Sequence, residues 1–240
     1  MQNRYAGDLG DFGKLGLLRV LQASGLSIGL NWYLSPDEKH NDDGRFVQYL
    51  NDETFRSYDE QLWLELRRIV NSGQRTVSAL ENAHLLDAVY FADPLFASGK
   101  TSAERSAARE EWHQKALNTL SNVDIVCVDP DNGVLVPSVV GTRREIKYVK
   151  PQELADYYRQ GSSVVYYQHK ARIPDSVYVD RHRALIGSPD FEKASGYGLK
   201  FTKTSLRYYF FAVQPKHKKI ITEAINGMLA TAWSNCFTLL

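Results

Sequence analysis

A chain of 240 residues that is 43% hydrophobic and 24% charged can bury one sizeable core, and no shift in composition divides it, so a single domain over 1–240 is expected. Its net charge of +1 excludes overall basicity as a reason to bind nucleic acid, although a local basic face is compatible with a balanced total. The two cysteines, Cys127 and Cys236, set up no disulfide framework or zinc pattern, and no uncharged apolar run reaches the roughly 18–20 residues that cross a bilayer, so a cytoplasmic location is expected.

Taken in chain order, the first helix is expected over Phe12–Ala23 with Asp11 as its N-cap, followed by a strand over Ile28–Leu34. A polar loop over Asp37–Gly44 leads to a helix over Asp59–Asn71 and a strand over Thr76–Leu80. A helix over Ala103–Leu120 then precedes the apolar strand Ile125–Asp129 and a polar loop over Pro137–Arg144. Helix Pro151–Arg159, strand Ser163–Gln168 and helix Asp175–Leu185 follow. Strands near Leu199–Thr202 and Arg207–Val213 are too close for a crossover helix and should pair antiparallel, and Lys216–Ala232 closes the chain as a helix. Alternating strands and helices predict an α/β protein: a doubly wound, mostly parallel sheet with helices on both faces and an antiparallel C-terminal strand. That is the layout of the Rossmann-like methyltransferase fold, and such sheets bind ligands beyond the carboxyl ends of their strands.

The sharpest local feature is Asp129-Pro130-Asp131-Asn132, reached directly from the apolar run Ile125–Val128. A strand buried on both faces cannot hold free carboxylates in its middle, so these groups must project where the strand emerges. The bland reading is a turn whose aspartates satisfy their own amides. The stretch Ala6-Gly7-Asp8-Leu9-Gly10-Asp11-Phe12-Gly13-Lys14 sets glycines, carboxylates and a lysine before the first helix, suiting close backbone approach to a ligand and anion binding at a helix start. Capping and turning are equally natural for it. Glu81, expected after the 76–80 strand, stands where ribose-binding carboxylates occur, and Tyr166-Tyr167-Gln168-His169 ends the strand that follows Ile125–Asp129 in the chain, placing aromatic or imidazole groups beside Asp129 if the two strands are sheet neighbours. Arg181-His182-Arg183 and Lys216-His217-Lys218-Lys219 read as solvated basic faces, and His40, His84 and His113 have no metal-ligand spacing, so no structural metal is expected.

These residues together resemble the adenine-N6 methyltransferases that act on large-subunit ribosomal RNA. Those enzymes begin with Ala-Gly-Asn-x-Ala-Asp-x-x-Lys-His, which is similar to Ala6–Leu15 with Asp8, Gly10 and Leu15 as departures. An acidic residue, an Asp-Pro motif and an aromatic strand end follow in the same order as Glu81, Asp129-Pro130 and Tyr167-Gln168-His169. The resemblance implies S-adenosylmethionine as cofactor, with Gly7, Asp8, Asp11, Lys14, Asp37 and Glu81 around it. It implies Asp129, Pro130 and Asn132 at the reacting amine, and Asp131, Tyr167 and His169 toward a nucleic acid or nucleotide substrate. Two departures stand out: the family's Asp-Pro-Pro-Tyr becomes Asp129-Pro130-Asp131-Asn132, and its Gly-rich loop becomes Trp32-Tyr33-Leu34-Ser35-Pro36-Asp37-Glu38. Two other readings compete. Pro130-Asp131 with Glu145-Ile146-Lys147 is similar to the signature of Mg²⁺-dependent nucleases, in which Asp131 and Glu145 would hold Mg²⁺ and Lys147 would stabilise charge. A non-catalytic module that holds a nucleotide or partner on the same fold is the third.

Overall fold

The computed structural model describes residues 1–38, 44–203 and 206–240; His40 and most of the expected 37–44 loop lie outside them. The strands are β1 (Ile28–Asn31), β2 (Ala88–Phe91), β3 (Ile125–Val128), β4 (Gly133–Val134), β5 (Tyr148–Val149), β6 (Ser163–His169), β7 (Ser195–Phe201), β8 (Arg207–Val213) and β9 (Phe237–Leu239). The α-helices are α1 (Leu9–Ala23), α2 (Glu60–Asn71), α3 (Val77–Asn82), α4 (Ser102–Thr119), α5 (Pro151–Arg159), α6 (Asp175–Ile186) and α7 (Lys218–Leu229). Among the described residues no helix is long and apolar enough to cross a membrane. Seven strands form one mixed sheet in the order β2-β1-β3-β6-β8-β7-β9, and β4 and β5 pair as a short separate ladder. β1, β2, β3 and β6 are parallel, β8 is antiparallel to β6 and β7, and β9 is antiparallel to β7. Five strands (β1, β2, β3, β6, β7) therefore run one way.

Alternation along the strands sorts side chains into two cores. Ile125, Cys127, Val165, Tyr209 and Phe211 meet α1, α2, α3 and α7 on one face. Val126, Val128, Val164, Tyr166 and Phe210 meet α4, α5 and α6 on the other. The sheet is thus covered on both sides, as a near-continuous apolar strand such as β3 requires.

Three expectations are corrected. Residues 76–80 do not form a strand: Thr76 caps α3 by accepting from the Ala79 amide, and Val77 and Leu80 are buried at helical spacing. The second strand is Ala88–Phe91, an edge strand too short and too mixed in burial to show alternation. The N-cap of α1 is Asp8, whose extended backbone and carboxylate serve the amides of Gly10 and Asp11, so the helix begins at Leu9 and Asp11 lies in its first turn. Nor are the two basic clusters wholly solvated, since His182 and His217 are buried. Elsewhere Pro151–Arg159 forms over the expected residues, and the β7–β8 hairpin pairs antiparallel as its short connection dictates.

The glycines of α1 serve packing. An added Cβ would lie 2.5 Å from the Arg207 guanidinium at Gly10, 2.7 Å from the Phe201 ring at Gly13 and 2.4 Å from the Trp233 ring at Gly16. The helix can lie close to the sheet only because this stripe is bare. Gly227 in α7, by contrast, has nothing within 4 Å of an added Cβ. One substitution therefore has opposite signs: Gly227→Ala should stabilise by about 0.5–1 kcal/mol through helix propensity, whereas Gly13→Ala should destabilise by about 1–3 kcal/mol through overpacking. Urea unfolding of both variants checks this, and equal shifts of one sign would contradict it.

Candidate functional site

The strand order reverses between β1 and β3, and open α/β sheets ordinarily place a ligand crevice at such a reversal, beyond the carboxyl ends of the strands. Here the cavity, of about 510 Å³, lies one position along, over the ends of β3 and β6 and the start of β8. It is walled by the turn Asp129–Asn132, by Asp8, Gly10, Asp11 and Lys14 of the first helix, by Tyr167 and His169, by Arg207 and Tyr209, and by Arg144, Lys147 and Tyr148. The acidic turn and the glycine-bearing N-terminal stretch, 115 residues apart at Lys14 and Asp129, do meet.

Lys14 joins them. Its Nζ lies 2.6 Å from Asp129 Oδ2 and 2.7 Å from Asp11 Oδ1, with the Trp32 ring 4.6 Å away. Burial opposes charge on Lys14, but Asp11 and Asp129 outweigh it and hold the ammonium above the ordinary lysine range. Burial holds the Asp11 carboxyl above the usual carboxylate range against the pull of Lys14, and its Oδ2 also accepts from the Gly7 amide. Asp129, 6% exposed, gives only Oδ2 to Lys14; its Oδ1 has no hydrogen-bond partner among the described residues and belongs to a residue that lines the cavity. The Asn132 carboxamide likewise has no protein partner among the described residues, while its backbone is fixed: its amide donates to Lys147 O and its carbonyl accepts from Gln168 Nε2. Gly133 permits this turn, with φ +101° and a Cβ position 2.3 Å from Gln168 Oε1.

The remaining expected site residues divide. Asp131 lines the cavity, yet its oxygens are engaged: Oδ1 lies 2.7 Å from the Met1 ammonium and Oδ2 accepts from Gln2 Nε2 at 2.7 Å. Burial opposes its ionisation, but the Met1 ammonium and Gln2 prevail and keep the carboxyl below the usual range. Asp8 caps α1 and faces Arg207. With the Leu9 amide given to Phe46 O, the helix start offers an anion no spare donors at Leu9, Gly10 or Asp11. Tyr167 lines the wall, its phenol pushed by burial up to about 12. Its neighbour Tyr166 faces the opposite core, bonded to His182. Gly7 turns the chain at φ +79° against the Val70 side chain. Asp37 accepts from the Arg4 amide, and Glu81, on α3, accepts from Trp32 Nε1 at 2.9 Å; none of these three lines the cavity.

The residues at the ends of β1 and β2 do not fit S-adenosylmethionine. Trp32 is 0% and Tyr33 1% exposed, and both fill the place a cofactor would need. The two post-strand segments are laced together, Trp32 N to Phe91 O and Leu95 N to Leu34 O, and no residue of 28–37 or 88–96 lines the cavity. The Asp131, Glu145 and Lys147 set does not assemble either. Glu145 bonds Lys150 and the Gly141 amide beside a separate depression of about 180 Å³, and Lys147 pairs with Glu38. Among the described residues no three His, Cys, Asp or Glu side chains are grouped to hold a metal ion.

Arg207 is the main wall residue that sequence reasoning missed. The signal for it was a charged residue abutting the apolar run Tyr208–Val213, the same signature that marks Asp129 at the end of β3. The chain matches no protein-family model and no curated protein.

Removing the central cation should expose how much rests on it. Lys14→Met strands two buried carboxylates and should cost about 3–5 kcal/mol at neutral pH. Because the folded pKa of Asp11 is raised, the penalty of burying its charge is absent below the unfolded value and complete above the folded one. Loss of Lys14 removes the pull that lowers the Asp11 pKa and so raises it further, and the deficit measured by urea unfolding should narrow as pH falls toward the ordinary carboxylate range; a deficit independent of pH would contradict this assignment.

Proposed function

We propose that this protein recognises an amine-bearing nucleobase, in a nucleotide or in nucleic acid, at the cavity over β3, β6 and β8. The observation that carries the reading is the division of the Asp129 carboxylate: Lys14 fixes one oxygen and the other is left for a donor in the cavity. An exocyclic amine donating to Oδ1 gains a charge-assisted hydrogen bond and has its lone pair turned away from the carboxylate. The Asn132 carboxamide, which can donate and accept, suits the neighbouring ring nitrogen and so the paired pattern of an amine-bearing base edge. Tyr167 and Tyr148 offer aromatic surface in the wall, supplying the stacking that the turn itself lacks.

The order β2-β1-β3-β6-β8-β7, with β8 reversed between β6 and β7, supports a Rossmann-like methyltransferase-type fold. Modification of the amine is the reaction class that the resemblance implies. Asp129 would orient the amine, and the ion pair with Lys14 would keep its carboxylate in one rotamer.

Calorimetry with adenosine monophosphate and inosine monophosphate tests the reading, since the second replaces the amine by a carbonyl that would face Asp129. The amine form should bind at least about tenfold more tightly, the worth of one such hydrogen bond, and Asp129→Ala should erase the preference. Equal affinities in the unaltered protein would remove the proposal, and one-to-one binding of S-adenosylhomocysteine would show that an adenosyl cofactor is accommodated after all.

A further inference from the structure

Arg207 stands at the start of β8, opposite His169 of β6 and Phe201 of β7, and its side chain turns onto the bare stripe of α1 at Gly10. It is 9% exposed. A guanidinium carries five N–H donors in a planar fork. Its contact with a carboxylate runs from Nη2 to Asp8 Oδ2 at 3.4 Å, which is long for a charged pair, and the Tyr167 hydroxyl beside it is a neutral acceptor. Nη1 is buried with no hydrogen-bond partner among the described residues. Leaving charged donors unsatisfied in a buried position is costly. Such a group wants an acceptor, and Arg207 lines the candidate cavity. Asp8 cannot fill the need: its Oδ1 is taken by the Gly10 and Asp11 amides.

The lysines of the wall are already matched. Lys14 sits between Asp11 and Asp129, and Lys147 against Glu38. Arg144, exposed at the rim, has no side-chain partner among the described residues. Two arginines thus line one cavity, one buried and one exposed, with donors to spare. Planar forks of this kind match the oxygens of phosphate bidentately, which a lysine ammonium does not.

We infer that Arg207 and Arg144 form an anion subsite that takes the phosphoryl group of the ligand, so that the cavity holds a phosphorylated nucleoside by its base at Asp129 and by its phosphate at the two arginines. This rests on the base-recognition reading above and adds to it the second point of attachment.

Adenosine and adenosine monophosphate are titrated into the unaltered protein, Arg207→Lys and Arg144→Gln, and inorganic phosphate is tested for thermal stabilisation of each. The monophosphate should bind at least about tenfold more tightly than adenosine. Arg207→Lys should remove most of that increment and Arg144→Gln part of it, both leaving adenosine affinity within about twofold. A dinucleotide carrying only a diester distinguishes a backbone phosphate, if it binds as well as the monophosphate, from a terminal one, if it does not; either leaves the subsite standing. Equal binding of adenosine and its monophosphate, or an increment that survives both substitutions, overturns it. Should neither nucleoside bind, the base reading fails alone, and the subsite then stands or falls on whether phosphate raises the melting temperature of the unaltered protein but not of Arg144→Gln, the variant least able to disturb folding.

Discussion

A buried ammonium between two carboxylates holds this molecule's working edge together. Lys14 belongs to the first helix and Asp129 to the turn after β3, and their contact at 2.6 Å fastens the N-terminal segment across the edge of the sheet. A single buried carboxylate beyond β3 would be expelled toward water or protonated; one buried lysine would lose its charge. Together with Asp11 they remain inside, and the loop between them becomes a wall. The glycines at positions 10, 13 and 16 make that possible by letting α1 lie against Arg207, Phe201 and Trp233.

The same arrangement explains why the usual crevice is closed. With Lys14 under its ring and Glu81 on its nitrogen, Trp32 is tied from two helices at the point where the strand order reverses. Tyr33 beside it reaches Glu153 through its hydroxyl, and Glu153 in turn holds Arg109, so the segment after β1 is a polar keystone between both layers of helices. The candidate cavity lies farther along, where β6 gives way to a reversed strand.

How much of this could be read from residues alone depends on the range of the signal. The β3 strand and its acidic turn were legible because an apolar run stopping at two aspartates marks the point where a strand leaves the core, and helix Pro151–Arg159 because proline and periodicity agree over nine residues. The 76–80 segment misled because five residues containing Thr, Val and Leu suit a strand or a capped helix equally, and only Thr76 accepting from Ala79 decides. Asp11 reads as a sound cap on sequence grounds, but its carboxylate is taken by Lys14 and the Gly7 amide, and Asp8 caps the helix instead. Arg207 carried the same signal of position, a charge abutting an apolar run, but its lack of a partner for Nη1 is a property of the fold that no residue pattern shows. Glu81 and Asp37 illustrate the converse, acids at suggestive places whose bonds are to Trp32 and to Arg4.

The short ladder of β4 and β5 carries one more consequence. Gly133 pairs with Tyr148, Asn132 N bonds Lys147 O, and Gln168 clamps the turn from β6. Asn132 on one strand of that ribbon and the 143–148 stretch on the other are therefore mechanically coupled, so a shift at the outer rim must tilt the inner turn with it. Reshaping this wall of the cavity would therefore have to proceed through paired changes on both strands of the ribbon rather than one loop at a time.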